Sequence, residues 1–236
     1  MKKIISILIL VFVFGFTKNN NTNSTSKTPS DFIYFGGMLN TTLNQYNIGN
    51  TIYNRDSLVD CYFVDANNNT GISISAGNVS YNGTTLTYDL ESYQDQTFLI
   101  NLHQTNAVWN ISGNAQVQAF SCAYTPSNPK YTGDNLLPNA ISKASGITLT
   151  FGTTITNVTD SITITIGLNA VKKMAVSQNS CYFSPQDLVN VSLNNSSIIE
   201  LEFNNQRIVT YNNRNYYINN RLKHTKYGVV INSNIN

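Results

Sequence analysis

The stretch NVSYNGTTLTYD, residues Asn78–Asp89, decides the fold class of this chain. Asn82 and Gly83 form the strongest short signal for a β-hairpin, because both tolerate the positive φ angles of a type I′ turn. A turn at this point pairs Tyr81 with Thr84, and the flanking residues then alternate between two faces. The apolar face is predicted to hold Val79, Tyr81, Leu86 and Tyr88. This pattern is typical of an antiparallel sheet with one buried face and one wet face.

The same alternation recurs in three further runs, GITLTFG at 146–152, DSITITIG at 160–167 and SIIELEFN at 197–204. Each run places Ile, Leu or Phe on one face and mainly Thr, Ser or Glu on the other. The side chains predicted to point inward are Ile147, Leu149, Phe151, Ile162, Ile164, Ile166, Ile199, Leu201 and Phe203. Many short strands separated by turn residues predict an all-β protein, built as an antiparallel β-sandwich.

The strand pattern divides the chain into two predicted β modules. The N-terminal module is expected at 31–135, and a cluster of prolines and a glycine marks its end. The C-terminal module at 136–236 resembles an immunoglobulin-like or fibronectin-like sandwich in the order of its strands. Ser184 and Pro185 predict the N-cap and first residue of a short helical turn before the last two strands.

The N-terminus has the pattern of a secretory signal. Lys2 and Lys3 precede an apolar run from Ile4 to Phe16, which is shorter than the roughly 20 residues of a membrane-spanning helix. We therefore expect a signal peptide at 1–17 and no transmembrane span in the mature chain. The polar residues 18–30 contain nothing that forms a core, and they predict a disordered tether.

The junction after the apolar run resembles a bacterial lipoprotein leader. Gly15 occupies the position of the small residue in such a leader, but Phe16 stands where the lipidated cysteine would follow. Because the thiol that carries the acyl chains is missing, we expect an exported protein without a lipid anchor. Its expected location is the periplasm, the cell surface or the extracellular space.

The charge pattern does not point to nucleic acid as a partner. Charged residues make up only 11% of the chain, and the formal net charge of +2 equals the contribution of Lys2 and Lys3. No stripe of basic residues is visible in either half, whereas nucleic-acid binding normally depends on one.

The chain has three cysteines, Cys61, Cys122 and Cys181, and each lies in an apolar segment that reads as a strand. We expect three buried thiols that pack as small apolar side chains. One disulfide with a thiol left over is the alternative for an exported protein. The absence of a C-x-x-C motif gives no support to a zinc site or a thioredoxin-type centre.

Several segments between residues 70 and 231 resemble those of uncharacterised exported or lipid-anchored envelope proteins of Gram-negative bacteria. The segments are GNVSYNGTTL, WNISGNAQVQAF, GITLTF, DSITITI, FSPQDL and RNYYINN. They are sheet and turn patterns rather than site motifs. The resemblance implies a β-rich envelope protein and brings no activity with it.

Sequence motifs for catalysis are missing. Neither the G-x-S-x-G elbow, nor H-E-x-x-H, nor a phosphate-binding loop occurs. His103 with Cys122 is a conceivable thiol–imidazole pair, but a histidine at a strand end is the simpler interpretation. The carboxylates Glu200 and Glu202 share one strand face, and we expect that face to be turned to solvent.

A cofactor or a metal is not expected. Asp65, Asn67 and Asn69 have the 1, 3, 5 spacing of a calcium loop. Thr70 replaces the glycine at the sixth position, and Ala76 replaces the glutamate at the twelfth. The segment is therefore interpreted as a polar loop between strands.

The C-terminal segment TYNNRNYYINNRLKHTKY, residues 210–227, is the best candidate surface, because it mixes tyrosines that can stack on flat ligands with arginines and lysines. Tyr216 and Tyr217 must face opposite sides of a strand, so at least one of them is expected in the core. Either Arg214 with Tyr216, or Tyr217 with Arg221, is predicted to form an exposed ligand-binding patch. We expect a non-enzymatic module that binds an envelope protein or a surface glycan, or that has a structural role, with a carbohydrate hydrolase as the alternative.

Overall fold

A computed structural model describes residues 34–48, 51–65, 72–95, 102, 105–133, 136–151, 155–159 and 161–233. These residues belong to one compact unit, and they form almost only β-strands. Among them there is no helix that is long and apolar enough to cross a membrane. The predicted signal peptide at 1–17 and tether at 18–30 lie outside the described residues.

The strands are β1 (Tyr34–Ile48), β2 (Thr51–Val64), β3 (Ser73–Ile74), β4 (Val79–Tyr81), β5 (Thr84–Thr85), β6 (Thr87–Asp89), β7 (Ser92–Gln94), β8 (Ala107–Ile111), β9 (Phe120–Tyr124), β10 (Lys130–Tyr131), β11 (Ala140–Ser142), β12 (Ile147–Thr150), β13 (Ile155–Thr156), β14 (Ser161–Ile166), β15 (Ala170–Ala175), β16 (Ser180–Phe183), β17 (Asn194–Tyr211) and β18 (Arg214–Asn232).

One sheet of ten strands runs through the whole described molecule. Its main order is β15-β14-β17-β18-β1-β2-β7-β6, and β11 and β3 pair with β18 and β2 beside this path. Neighbouring strands are antiparallel except at β18, which pairs in parallel with both β1 and β11. The long strands β17, β18, β1 and β2 therefore form the centre of the sheet, and the shorter strands lie toward its two sides.

Three smaller sheets cover one face of the ten-stranded sheet. They are β5-β4-β8-β9, β12-β16 and β10-β13. The four-stranded sheet encloses a first core around Trp109, Tyr81 and Phe63, which also takes Tyr216 and Ile218 from β18. The two small pairs close a second core. Its members include Ile162, Ile164, Ile166, Leu149, Phe183, Leu188, Ile199, Leu201, Phe203 and Leu222.

The all-β prediction is confirmed, and so are the strand faces of the second core. Ile162, Ile164 and Ile166 are buried, as the alternation in DSITITIG predicts. The predicted module boundary at residue 135 stays a prediction. The ten-stranded sheet takes strands from both sides of that boundary, because β1 lies between β18 and β2.

The Asn82-Gly83 hairpin forms with the predicted register, since Tyr81 lies opposite Thr84 and both turn residues have positive φ. The prediction for Tyr88 is wrong, because its side chain is 41% exposed. After Thr85 the chain leaves the four-stranded sheet, and β6 pairs with β7 at the edge of the ten-stranded sheet. Tyr88 consequently packs on the ring of Tyr93 at that edge, with ring centroids 4.8 Å apart.

The three cysteines are buried free thiols, as the first of the two alternatives predicts. The segment after β16 forms turns rather than a helix. The Ser184 hydroxyl oxygen accepts a hydrogen bond from the Asp187 N–H at 3.3 Å, so Ser184 caps a single turn. The Ser184 hydroxyl and N–H in return donate to Oδ2 of Asp187, at 2.8 and 2.7 Å.

Candidate functional site

The face of the ten-stranded sheet opposite the two cores is called the open face here, because no described strand packs on it. Alternate residues of β18 point to this side, including Tyr217, Asn219 and Arg221. Their neighbours Tyr216 and Ile218 point into the first core. The tyrosine pair in RNYYINN is therefore divided between core and surface, as its spacing requires.

Three aromatic side chains meet on the open face, and we call them the aromatic platform: Phe35, Tyr62 and Tyr217. The ring centroid of Phe35 lies 5.6 Å from that of Tyr217 and 6.2 Å from that of Tyr62. Met38 lies opposite both Tyr217 and Tyr62 in the ladders of β1. Ile208, opposite Tyr217 on β17, is 51% exposed and extends this apolar row across four strands.

A row of hydrogen-bonded polar side chains lies beside the platform. Nδ2 of Asn40 donates to Oδ2 of Asp60 at 2.8 Å, and Nδ2 of Asn219 donates to Oδ1 of Asn40 at 2.8 Å. Nε2 of Gln206 donates to Oδ1 of Asn219 at 3.0 Å. The row joins β2, β1, β18 and β17, so it fixes their positions under the platform.

Arg221 lies one step further along β18, opposite Thr42 of β1. Burial raises the pKa of Asp60, while the hydrogen bond from Asn40 and the charge of Arg221 lower it. Burial also raises the pKa of Tyr62, and the charge of Arg221 opposes that shift. The Arg221 side chain therefore lies close enough to both groups for its charge to act on them.

Of the four residues predicted as a site, Tyr217 and Arg221 lie together on the open face. Tyr216 is only 2% exposed, and its ring packs 4.5 Å from that of Phe120, so it offers no surface to a ligand. Nη1 of Arg214 donates to the Gln116 carbonyl at 3.1 Å. Arg214 therefore ties the start of β18 to a loop of the N-terminal half.

Sequence reasoning missed Phe35, Tyr62, Asp60 and Asn40, which complete the face. They lie on β1 and β2, far from Tyr217 in sequence, and the parallel pairing of β1 with β18 brings them together. Only the alternation in VDCYF, residues 59–63, gave a local signal, because it places Asp60 and Tyr62 on the same strand face.

The other predicted chemistries receive no support from the described residues. His103 lies outside the described residues, as do Asn67 and Asn69 of the calcium-like loop. Within the described ranges no three His, Cys, Asp or Glu side chains are grouped so that they could hold a metal ion. Nζ of Lys223 forms an ion pair with Oε2 of Glu200 at 2.8 Å.

Comparison with models of protein families, with curated proteins and with solved structures finds no match to this chain.

Proposed function

We propose that this protein is an exported, non-enzymatic binding module of the cell envelope or exterior, and that its ligand is a surface glycan. The observation that carries the proposal is the aromatic platform beside hydrogen-bonding side chains on a sheet face that no described strand covers. Sugar rings have apolar C–H faces that pack on aromatic rings, and their hydroxyl groups need donors and acceptors at the edge. Binding sites commonly combine apolar contact surface with a few placed polar groups in this way.

A glycan fits this face better than an envelope protein does. A protein interface normally buries about 800 Å² on each partner around a central apolar cluster. The apolar row through Met38 is followed directly, in the strand direction, by the polar row with Asn40 and Asn219, and Phe35 lies before it on β1. A sugar ring can stack on the partly exposed rings of Phe35 and Tyr217. Its hydroxyl groups would then point toward the half-buried Gln206 or Arg221, since Asn40 and Asn219 are buried.

The hydrolase alternative needs two carboxyl groups that flank the bond to be cleaved. The platform has one adjacent carboxylate, Asp60, which Asn40 holds by a hydrogen bond. Glu200 and Glu202 also lie on the open face, on β17, and Oε2 of Glu200 is paired with Lys223. They are neighbours on one strand rather than groups on opposite sides of a cleft. These positions support binding rather than cleavage.

The immunoglobulin-like nature of the C-terminal half is also part of the proposal. The pairing of β12 with β16 in one sheet, and the order β15-β14-β17-β18 in the other, supports it. These two groups match the B–E pair and the C′-C-F-G order of immunoglobulin-like sandwiches. The resemblance to Gram-negative envelope proteins is consistent with a module of this kind.

Calorimetric titration of the folded protein with dextran, mannan and an N-acetylglucosamine oligosaccharide tests the glycan proposal. Replacement of Tyr217 by Ala should weaken binding at least about tenfold, because loss of a central aromatic contact costs about 2 kcal/mol or more and about 1.4 kcal/mol is a factor of ten. Tyr182 is the matched control, since it is 51% exposed on β16, outside the open face. Equal affinities of Tyr217→Ala and Tyr182→Ala would contradict the proposed site.

Export is tested separately. The protein recovered outside the cytoplasm should begin near residues 15–17 and carry no acyl chain, because Phe16 has no thiol. Intact mass spectrometry measures both properties. An acylated N-terminus would contradict this part of the proposal and leave the glycan site untouched.

A further inference from the structure

We infer that Asp60 and Arg221 form the polar half of the glycan site and that together they select a neutral sugar with two adjacent hydroxyl groups. The inference rests on the proposed glycan-binding function and names the class of ligand.

Both side chains lie on the open face next to the platform. Asp60 precedes Tyr62 by two residues on β2, which places their side chains on the same strand face about 7 Å apart. Asp60 lies opposite Asn40, and Arg221 lies opposite Thr42, two residues further along β1. The two charged groups therefore approach each other diagonally across β1, at the edge of the aromatic rings.

The two groups do not neutralise each other by direct contact. No carboxylate within the described part of the chain lies within 4.0 Å of the Arg221 guanidinium, and this includes Asp60. Oδ2 of Asp60 accepts a hydrogen bond at 2.8 Å from Nδ2 of Asn40, which lies on β1 between the strands of the two charged groups. Within the described part of the chain, each of the two groups therefore keeps hydrogen-bonding capacity that the other does not use.

A sugar hydroxyl complements both groups. A guanidinium can only donate hydrogen bonds and an ionised carboxylate can only accept them, whereas a hydroxyl does both. One hydroxyl oxygen can accept at about 2.9 Å from Arg221 and donate at about 2.7 Å to Asp60, which spans up to about 5.6 Å. Two adjacent hydroxyl groups bridge a longer separation and engage two nitrogens of the guanidinium.

The charge of the pair favours a neutral ligand. A carboxylated or sulfated sugar would gain attraction from Arg221 but would meet repulsion from Asp60 at the same place. An amino sugar with a free ammonium group would meet the opposite combination. Because Asp60 is half-buried, an added negative charge beside it is less screened than it would be in open water. Adjacent hydroxyl groups use both partners without either penalty.

Two conservative variants isolate this polar half. Asp60→Asn removes the carboxylate but keeps a side-chain oxygen that accepts the Asn40 hydrogen bond, so the polar row stays intact. Arg221→Gln removes the guanidinium while keeping a polar side chain. Lys173→Gln is the matched control, because Lys173 is an exposed cation on the edge strand β15, opposite Thr163. Circular dichroism and urea midpoints confirm that each variant is folded.

The probes are mannan, a mannose oligosaccharide with one hydroxyl of the adjacent pair replaced by hydrogen, and polygalacturonate. Mannan affinity should fall about tenfold or more with Asp60→Asn and with Arg221→Gln, as expected when a charge-assisted hydrogen bond is lost. The Lys173→Gln variant should bind as the unmodified protein does. The deoxy probe should bind the unmodified protein about as weakly as mannan binds the two variants, and polygalacturonate should bind less tightly than mannan.

The outcomes separate the inference from the proposed function. Suppose that Tyr217→Ala abolishes binding while Asp60→Asn and Arg221→Gln leave it unchanged. The aromatic platform is then the glycan-binding surface, and the role inferred for Asp60 and Arg221 is wrong. If polygalacturonate binds more tightly than mannan, the inference that the ligand is a neutral sugar is also wrong. If no glycan probe binds, or if Tyr217→Ala has no effect, the glycan function fails and the inference fails with it.

Discussion

Ile164 on β14 lies directly opposite Leu201 on β17, and both side chains are completely buried. The contact is in the centre of the second core, where neighbouring positions are also fully packed. Truncation of Ile164 to Ala removes three carbons and leaves a cavity that the β-ladders on both sides cannot close. The free energy of unfolding should fall by about 2 to 5 kcal/mol. Urea unfolding curves measure this loss directly.

Thr163 is the control for the same strand. Its side chain points to the open face and is only half-buried, so Thr163→Ser should cost well under about 1 kcal/mol. The comparison tests the register, because a slip by one residue would exchange the two faces. A lower urea midpoint for Thr163→Ser than for Ile164→Ala would show that the assigned core face is wrong.

These strand faces could be predicted from the sequence because alternation is a local property. The neighbours of a strand in the sheet cannot be predicted in this way, because they depend on pairing between distant segments. The parallel pairing of β1 with β18 joins residues near the two ends of the described chain, and no turn signal connects them. Prediction of the candidate site was limited for the same reason. Tyr217 and Arg221 lie on one strand, whereas their partners Phe35 and Asp60 come from the other end of the chain.

The alternation also failed where the chain changes sheets. Leu86 is buried as predicted, but the strand pattern breaks directly after it, and Tyr88 belongs to β6 in the ten-stranded sheet. Nothing in TTLTYD distinguishes one continuous strand from two short strands in different sheets. Tyr216 is a simpler case. Adjacent positions on a strand place Tyr216 and Tyr217 on opposite faces of the sheet, but they do not show which of the two side chains is buried.

The turn at Gly83 gives a second prediction about stability. Gly83 has a φ of 84°, in the left-handed region, and a Cβ added there would meet no atom within 4 Å. The cost of Gly83→Ala is therefore purely conformational, and we expect about 1 kcal/mol. Gly83→Asn should cost less, because asparagine tolerates this region. A urea midpoint of Gly83→Ala at or above that of the unmodified protein would contradict the type I′ turn.

The cysteines should react only when the protein unfolds. Burial raises the pKa of the Cys61 thiol well above its ordinary value, and the charge of Asp60 raises it further. Burial likewise raises the pKa of the Cys181 thiol. Since the thiolate is the reactive form, a disulfide reagent that reports free thiols should label the native protein slowly.

In denaturant without reductant the same reagent should detect three thiols per chain, one for each free cysteine. A Cys181→Ser variant provides the calibration, because it should lower the count by one. Detection of a single thiol in the denatured, unreduced protein would show that two cysteines form a disulfide. The alternative predicted from the sequence, one disulfide with one thiol left over, would then be correct.

The ion pair between Lys172 and Asp187 predicts a contribution to acid stability. Nζ of Lys172 lies 2.6 Å from Oδ2 of Asp187. The hydrogen bond from Lys172, followed by those from the Ser184 hydroxyl and backbone N–H, lowers the pKa of Asp187 to about 2. In the unfolded chain an aspartate titrates near about 3.9. The stabilising effect is therefore complete above about pH 4 and is lost as the pH falls through about 2.

Urea unfolding at about pH 5 and about pH 2.5 tests whether the stabilising effect of the ion pair is lost as the pH falls. The unmodified protein should lose more stability between the two conditions than Asp187→Asn does, because the amide has no proton to bind. Lys172→Met should reduce the pH-dependence as well, whereas Lys173→Met should leave it as it is, since Lys173 points to the other face of β15. Both side chains of the ion pair are one-third exposed, so added salt should diminish the difference. If the unmodified protein and Asp187→Asn lose equal free energy of unfolding between the two pH values, the Asp187 carboxylate does not govern stability in that range.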